Sequence, residues 1–228
     1  VPAFCSVNGF TVLDGSIYLP RVGVWHADLS VDTFDTLTGP VTVQLPSQTL
    51  QGRATRSGSD AARRLRLRVV GGNAGLASVV TPKSYGSVPL RIPLTDALTA
   101  AGERLSPTAD TSLLNTQLAA WSNMAAPANS VIASLLQAVP GNPAWRVLID
   151  GTVWVGFETW PVVTLPDTVL ISSDPENGRV TIASDAPAIL PGVSFSYLVP
   201  GVGQVSKQVS YLQHLISSGM VRTVFFSE

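Results

Sequence analysis

Apolar and polar residues alternate with a period of two at both ends of this 228-residue chain, and the period breaks in the middle. Side chains of an extended strand point to opposite faces in turn, so such alternation requires sheets with one buried face. Trp25, Ala27, Leu29 and Val31 alternate with His26, Asp28, Ser30 and Asp32. Val41, Val43 and Leu45 alternate with Thr42 and Gln44, and Leu65, Leu67 and Val69 with Arg64, Arg66 and Arg68. Turns rich in Gly, Pro, Ser and Asp divide these runs between Phe10 and about Val80, as an antiparallel barrel or sandwich requires. From Trp145 onward the β pattern returns. Asp150-Gly151 and Asn177-Gly178 mark two-residue hairpins, whose turn positions both take positive φ, and Ser217-Ser218-Gly219 marks a third turn.

Between the two β stretches the period is helical. Thr95 is expected to cap a helix running to Arg104, with Asp96 in its positively polarised first turn. Asp110 is expected to cap a second, in which Leu114, Leu118 and Trp121 recur at spacings of four and three. A third starts near Pro127, carries Val131, Leu135 and Val139, and stops at Pro140-Gly141. The fold class expected is mainly β with an α-rich insertion (α+β). Residues 1–85 form a first barrel unit, 86–142 an α-rich connector and 143–228 a second barrel unit. Three pairs of segments recur in order: Asp14-Gly15 with Asp150-Gly151, Asp35–Val43 with Asp174–Ile182, and Leu50-Gln51-Gly52 with Leu190-Pro191-Gly192. They predict two similar antiparallel barrels in tandem, with the two Asp-Gly pairs at equivalent turns.

Charge narrows the function classes. Only 13% of residues are charged, the net charge is -1, and twelve arginines stand beside two lysines, Lys83 and Lys207. Near-neutrality argues against a dedicated nucleic-acid binder. Scarce Lys with Arg retained is the composition of protein interfaces, because guanidinium is weakly hydrated and pairs in a planar fork. Six arginines fall between Arg53 and Arg68. Arg64, Arg66 and Arg68 share one strand face, read as a subunit interface in preference to a phosphate-binding ladder. Cys5 has no partner for a disulfide and sits near a terminus expected to be mobile. No secretory signal is expected from Val1–Cys5, and no apolar run reaches the length of a bilayer span.

No catalytic or metal constellation stands out, and no enzyme, metal ion or cofactor is implied. His26 and His214 lack ligand spacing. Gly71-Gly72-Asn73-Ala74-Gly75 follows a strand but leads to no helix that could hold a pyrophosphate, and reads as a loop. His26 and Asp28 on the face His26, Asp28, Ser30, Asp32 could pair or hold a hard cation, although alternation alone puts polar residues there. Asp28 and Glu158 would carry a hydrolase reading. Glu158 with Trp154 and Trp160 resembles a carbohydrate platform, the basis of an alternative reading as a carbohydrate- or host-receptor-binding β module.

A barrel, an α-rich insertion and a second similar barrel, with Pro191-Gly192, Val209, His214 and Thr223 in the last part, resembles the baseplate hub and tail proteins of tailed bacteriophages. These are related to the hub part of type VI secretion spikes. Leu19–Asp28 is similar to strand pairs of phage tail proteins. The resemblance implies a structural virion protein, assembled in the host cytoplasm into the tail or baseplate. It implies a homotrimeric ring that adapts a six-fold tail tube to a three-fold spike or fibre around a central channel. Its partners would be other tail and baseplate proteins, with DNA as cargo through the channel, no membrane insertion and no catalytic residue.

Overall fold

Six strands at the start of the chain close into a barrel. The structure, a computed structural model, describes residues 4–59, 64–164, 170–174, 176–199, 203–217 and 219–227. Strands β1 (Ser6–Val7), β2 (Phe10–Pro20), β3 (His26–Val31), β4 (Gly39–Gln44), β5 (Thr49–Ser59) and β6 (Leu65–Gly71) pair antiparallel in the order β1-β4-β5-β6-β3-β2, and β1 pairs back to β2. The alternating apolar residues Ala27, Leu29, Val31, Val41, Val43, Leu65, Leu67 and Val69 all point inward and are buried. Trp25 fills one end of this core. Cβ atoms at Gly52 and Gly71 would lie 2.8 and 2.5 Å from its ring, so both positions must lack a side chain. Cys5 lies in the core at 2% exposure, not at a loose end. Burial, with the Asp185 carboxylate nearby, pushes its thiol up to about 12.

The middle of the chain holds less helix than its spacing predicts. The elements are β7 (Val79–Val80), β8 (Lys83–Pro89), α1 (Arg91–Ala100), α2 (Thr111–Leu114), β9 (Gln117–Asn123), β10 (Ala126–Pro127) and α3 (Ala128–Gln137). Helix α1 starts four residues before Thr95, because Pro93 sits in the first turn, where its missing N–H has no intrahelical acceptor to lose. Asp110 does cap α2, its Oδ1 accepting from the amides of Ser112 and Leu113 at 2.8 and 3.3 Å. That helix ends after four residues, and Leu118 and Trp121 lie on β9, antiparallel to β8, with Trp121 against Tyr85. Strand pairing and this aromatic contact override the helical spacing. Helix α3 buries Val131, Ile132, Leu135 and Leu136 against α1.

The remaining strands are β11 (Ala144–Val147), β12 (Val153–Gly156), β13 (Val162–Thr164), β14 (Leu170–Asp174), β15 (Arg179–Ile182), β16 (Ser194–Val199), β17 (Gly203–Ser217) and β18 (Met220–Ser227). The β11–β12 hairpin forms its own two-stranded sheet and docks on the barrel: Gln51 N donates to Ile149 O at 2.7 Å and Trp25 Nε1 to Leu148 O at 3.1 Å. Its turn is longer than two residues, since Leu148 N bonds Thr152 O, and positive φ falls on Gly151 and not on Asp150. The Asn177-Gly178 turn likewise has positive φ at Gly178 alone of the two. In both, an aspartate side chain closes the turn, Asp150 accepting from Thr152 N and Asp174 from Asn177 N, which substitutes for a second left-handed residue.

Strands β13 to β18 pair in the order β13-β16-β17-β18-β15-β14, which is the order of the first six with twelve added to each number. The β13–β16 pair is parallel where β1–β4 is antiparallel. Two bulges recur at matching places. One interrupts β2 between Val12 and Asp14 opposite β3, and β14 between Leu170 and Ser172 opposite β15. The other interrupts β5 between Ala54 and Arg56 opposite β6, and β17 between Val209 and Tyr211 opposite β18. Strands β4, β5 and β6 start at 39, 49 and 65, and β16, β17 and β18 at 194, 203 and 220, a spacing of 154 to 155 residues.

The three repeated sequence segments therefore align the wrong strands. Asp14-Gly15 is no turn but lies inside β2, where a Cβ on Gly15 would sit 2.4 Å from Asp28 O. Asp150-Gly151 belongs to the separate β11–β12 hairpin. Asp35–Val43 leads into β4, whereas Asp174–Ile182 is the β14–β15 hairpin. Leu50-Gln51-Gly52 is inside β5, and Leu190-Pro191-Gly192 precedes β16. Turn chemistry recurs too freely to fix strand equivalence.

Candidate subunit interface

Arg64, Arg66 and Arg68 come to the outer barrel face because Leu65, Leu67 and Val69 take the inner one. The β3 register sets Asp28 beside Arg68, whose Nη1 reaches both carboxylate oxygens at 2.9 and 3.1 Å. Arg66 reaches Asp14 on β2 at 3.4 Å. On the other side β5 places Arg56 opposite Arg68. The face is thus a lattice of arginines with acidic residues along one side, solvent-screened at 40 to 60% side-chain exposure.

Several of the other polar candidates are engaged by neighbours in the chain. Asp28 is taken by Arg68, and His26 packs its ring 5.3 Å from Tyr18, with burial and then Arg68 lowering its pKa. Ser30 is fully buried. Among the described residues no group of His, Cys, Asp and Glu could hold a metal ion. Arg146 and Glu158 form an ion pair at 15% and 10% side-chain exposure, and the Arg146 guanidinium lies 4.1 Å from the Trp154 ring centre. Arg21 lies over Trp160. Arginines thus lie over both rings that a sugar would stack on. The pair lines a 220 Å³ cavity with Leu19, Phe157 and Pro191, and Gly192 is its floor, since a Cβ there would meet Glu158 at 2.5 Å.

The glycine loop does hold an anion, one supplied by the chain. Glu103, 5% exposed, accepts from Asn73 N at 3.0 Å and Gly75 N at 2.8 Å, which ties the middle segment to the barrel. A Cβ on Gly75 would collide with Ala101 O at 1.7 Å.

The two sets of strands join along β2 and β17, paired antiparallel from Tyr211↔Pro20 to Ser217↔Asp14. An aromatic row crosses this seam: His26, Tyr18, Tyr211 and Phe226, with Tyr18 and Tyr211 5.2 Å apart and Tyr211 and Phe226 4.2 Å apart. Beneath it lies a buried polar network. Thr223 Oγ1 donates to Ser184 O, so it accepts from His214 Nδ1–H, 2.9 Å away. Gln48 Nε2 donates to Asp185 O at 2.9 Å and to His214 Nε2 at 3.2 Å, and Ser47 N donates to Asp185 Oδ2 at 2.7 Å. The pattern assigns a neutral Nδ1–H imidazole, and burial lowers its pKa to about 4. Sequence reasoning singled out His214 and Thr223 but not Gln48, which lies 166 residues from His214 in the chain.

No family model and no curated protein matches this sequence. Solved structures do share its fold. The E. coli c3393 protein, described as a component of the type VI secretion system with structural similarity to the T4 bacteriophage tail proteins gp27 and gp5, superposes with a TM-score of 0.68 at 12% identity, over 98% of this chain and 76% of that one. A prophage MuSo2 tail protein from Shewanella oneidensis gives 0.67 at 8% identity, over 97% and 96% of the two chains. A tail protein from Neisseria meningitidis gives 0.64 at 11%, over 97% and 94%. The fold of this chain is that of phage tail and type VI secretion components, as the resemblance in its sequence implied.

Proposed function

We propose that this chain is a structural protein of a phage tail or baseplate, part of the virion. Three copies form a hub-like ring that adapts a six-fold tube to a three-fold spike or fibre. The reading rests above all on the two sets of six strands that share one order and two bulges within one chain. Each copy then contributes two barrel-like units, linked through 86–142, and three copies offer six similar faces around a channel. The shared fold with tail proteins supports the same reading. Neighbouring tail and baseplate proteins are the partners, and DNA passes through as cargo. Among the described residues no helix is long and apolar enough to cross a membrane. Arg64, Arg66 and Arg68 face the adjoining subunit.

Light scattering on the purified 23.9 kDa chain tests this. The expected mass is that of three chains. Arg68→Glu is expected to weaken association while leaving the circular dichroism unchanged, since the exposed Arg68–Asp28 pair is worth no more than about 1 kcal/mol. A monomer at high concentration that stays outside any purified assembly overturns the reading.

A further inference from the structure

We infer that the cavity beside the Arg146–Glu158 pair binds a segment of another protein chain, one that presents the neutral carboxamide of a Gln or Asn next to an apolar side chain. The site uses other residues than the arginine ladder and holds whether or not copies form a ring.

Four separate parts of the chain meet at this cavity: the end of β2, β11 with the turn after it, a strap from Phe157 to Pro161, and the segment before β16. Leu19, Ile149 and Leu190 give it apolar walls, and the exposed Phe157 and Thr159 stand where it opens. The strap is held in place. Ser194 N donates to Pro161 O at 2.9 Å. Trp160 keeps φ at +49° directly before a proline, a costly conformation for a bulky residue, and Arg21 lies over its ring. Backbone in so sparse a region persists only where its surroundings over-determine it, so this wall is preformed.

Arg146 and Glu158 are the only charged residues among those that line the cavity, and they neutralise each other. A charge on the occupant would therefore be buried without compensation. Arg146 Nη1 is used up inside the chain, donating to Glu158 Oε1 and to Arg21 O. Arg146 Nη2 and Glu158 Oε2 have no hydrogen-bond partner among the described residues. Both face Gly192, at 2.9 and 2.5 Å from where a Cβ would stand, so the missing side chain leaves one spot flanked by a donor and an acceptor. An occupant must bring an acceptor to the first and a donor to the second. A carboxamide carries these on separate atoms, so both bonds form at once. A carboxylate has no donor and would set its charge against Glu158.

Volume decides between kinds of occupant. At 220 Å³ the cavity is smaller than the roughly 300–1,000 Å³ of sites for whole small molecules, and it suits one or two side chains. Arg146 and Arg21 already lie over the Trp154 and Trp160 rings on which a sugar would stack. A protein segment therefore fits better than a glycan.

The full chain is titrated with isocaproamide, whose branched apolar arm and carboxamide reproduce the two features, and binding is followed by ligand-observed NMR. A saturable Kd on the order of 1–10 mM is expected for so small a probe. Isocaproate, the matching alcohol and glucose should each bind about tenfold more weakly or worse. Glu158→Gln should invert the order of amide and carboxylate, since it removes the repulsion and leaves Arg146 for the anion. Thr159→Phe, at an exposed wall residue, should abolish binding with the circular dichroism unchanged. From a library of displayed peptides the unmodified chain should enrich an apolar residue beside Gln or Asn, and Thr159→Phe should lose that enrichment. Equal binding of amide and carboxylate, no saturable binding of the amide, or glucose bound in its place overturns the site. Amide binding with no peptide enriched overturns the protein occupant.

Discussion

Acid should loosen the seam between the two sets of strands through His214. In the unfolded chain this histidine takes up a proton near 6.5, and in the folded chain only near about 4. Between those values the unfolded state binds more protons, so stability falls as pH drops through the window and is flat above about pH 7. A separation of roughly two and a half units is worth about 3 kcal/mol by pH 4, at ~1.4 kcal/mol per unit. The loss is a large part of the ~5–15 kcal/mol that holds a domain folded. The cause is geometric: a second proton on Nε2 would face the amide nitrogen of Gln48 at 3.2 Å, and the ring is 1% exposed. The Asp185 carboxylate opposes the shift but does not cancel it. The assay is urea unfolding of the wild type and of His214→Gln at about pH 7 and about pH 4. The other ionisable groups are common to both proteins, so their difference reports His214 together with the Asp185 carboxylate it interacts with. The wild type should lose about 3 kcal/mol more than the variant, and the His214 ring should titrate near 4 by NMR. Parallel pH profiles, or titration of His214 near 6.5, would refute the tautomer and the network built on it.

Two further substitutions follow from buried charge. Glu103→Ala strips the acceptor from the amides of Asn73 and Gly75 and should cost about 2–4 kcal/mol in urea unfolding, with Glu103→Gln recovering part. Arg146→Ala leaves Glu158 buried without its cation and should cost about 3–5 kcal/mol, with a smaller loss for Arg146→Lys, which keeps the charge but not the planar contact with Trp154.

The alternating runs made the first barrel legible. Trp25 to Val31 and Leu65 to Val69 state which face is inside, and β3 and β6 follow that statement except at Ser30, which is polar in the pattern but buried. The outward arginines were legible for the same reason. The middle was harder, because Leu114, Leu118 and Trp121 have helical spacing while β8 lies ready as a strand partner, and a choice between the two is made by tertiary pairing. Glu103 filling the glycine loop could not be read locally, since the loop looked unfit for a phosphate and the carboxylate sits about 30 residues on. The repeat was sought in turn residues, which are cheap to recur, whereas the features that actually match are strand order and two bulges. Strand order leaves almost no mark in side-chain identity.

Electron microscopy of the purified protein shows whether three chains make a ring of six barrel-like units. Class averages viewed along the axis should show six lobes around an open centre. Three-fold refinement should place alternate lobes as the β1–β6 and β13–β18 sets, joined within each chain by the β2–β17 pairing. Particles of one or two lobes, or a closed assembly whose copies meet only through the segment from Thr81 to Pro143, would contradict it.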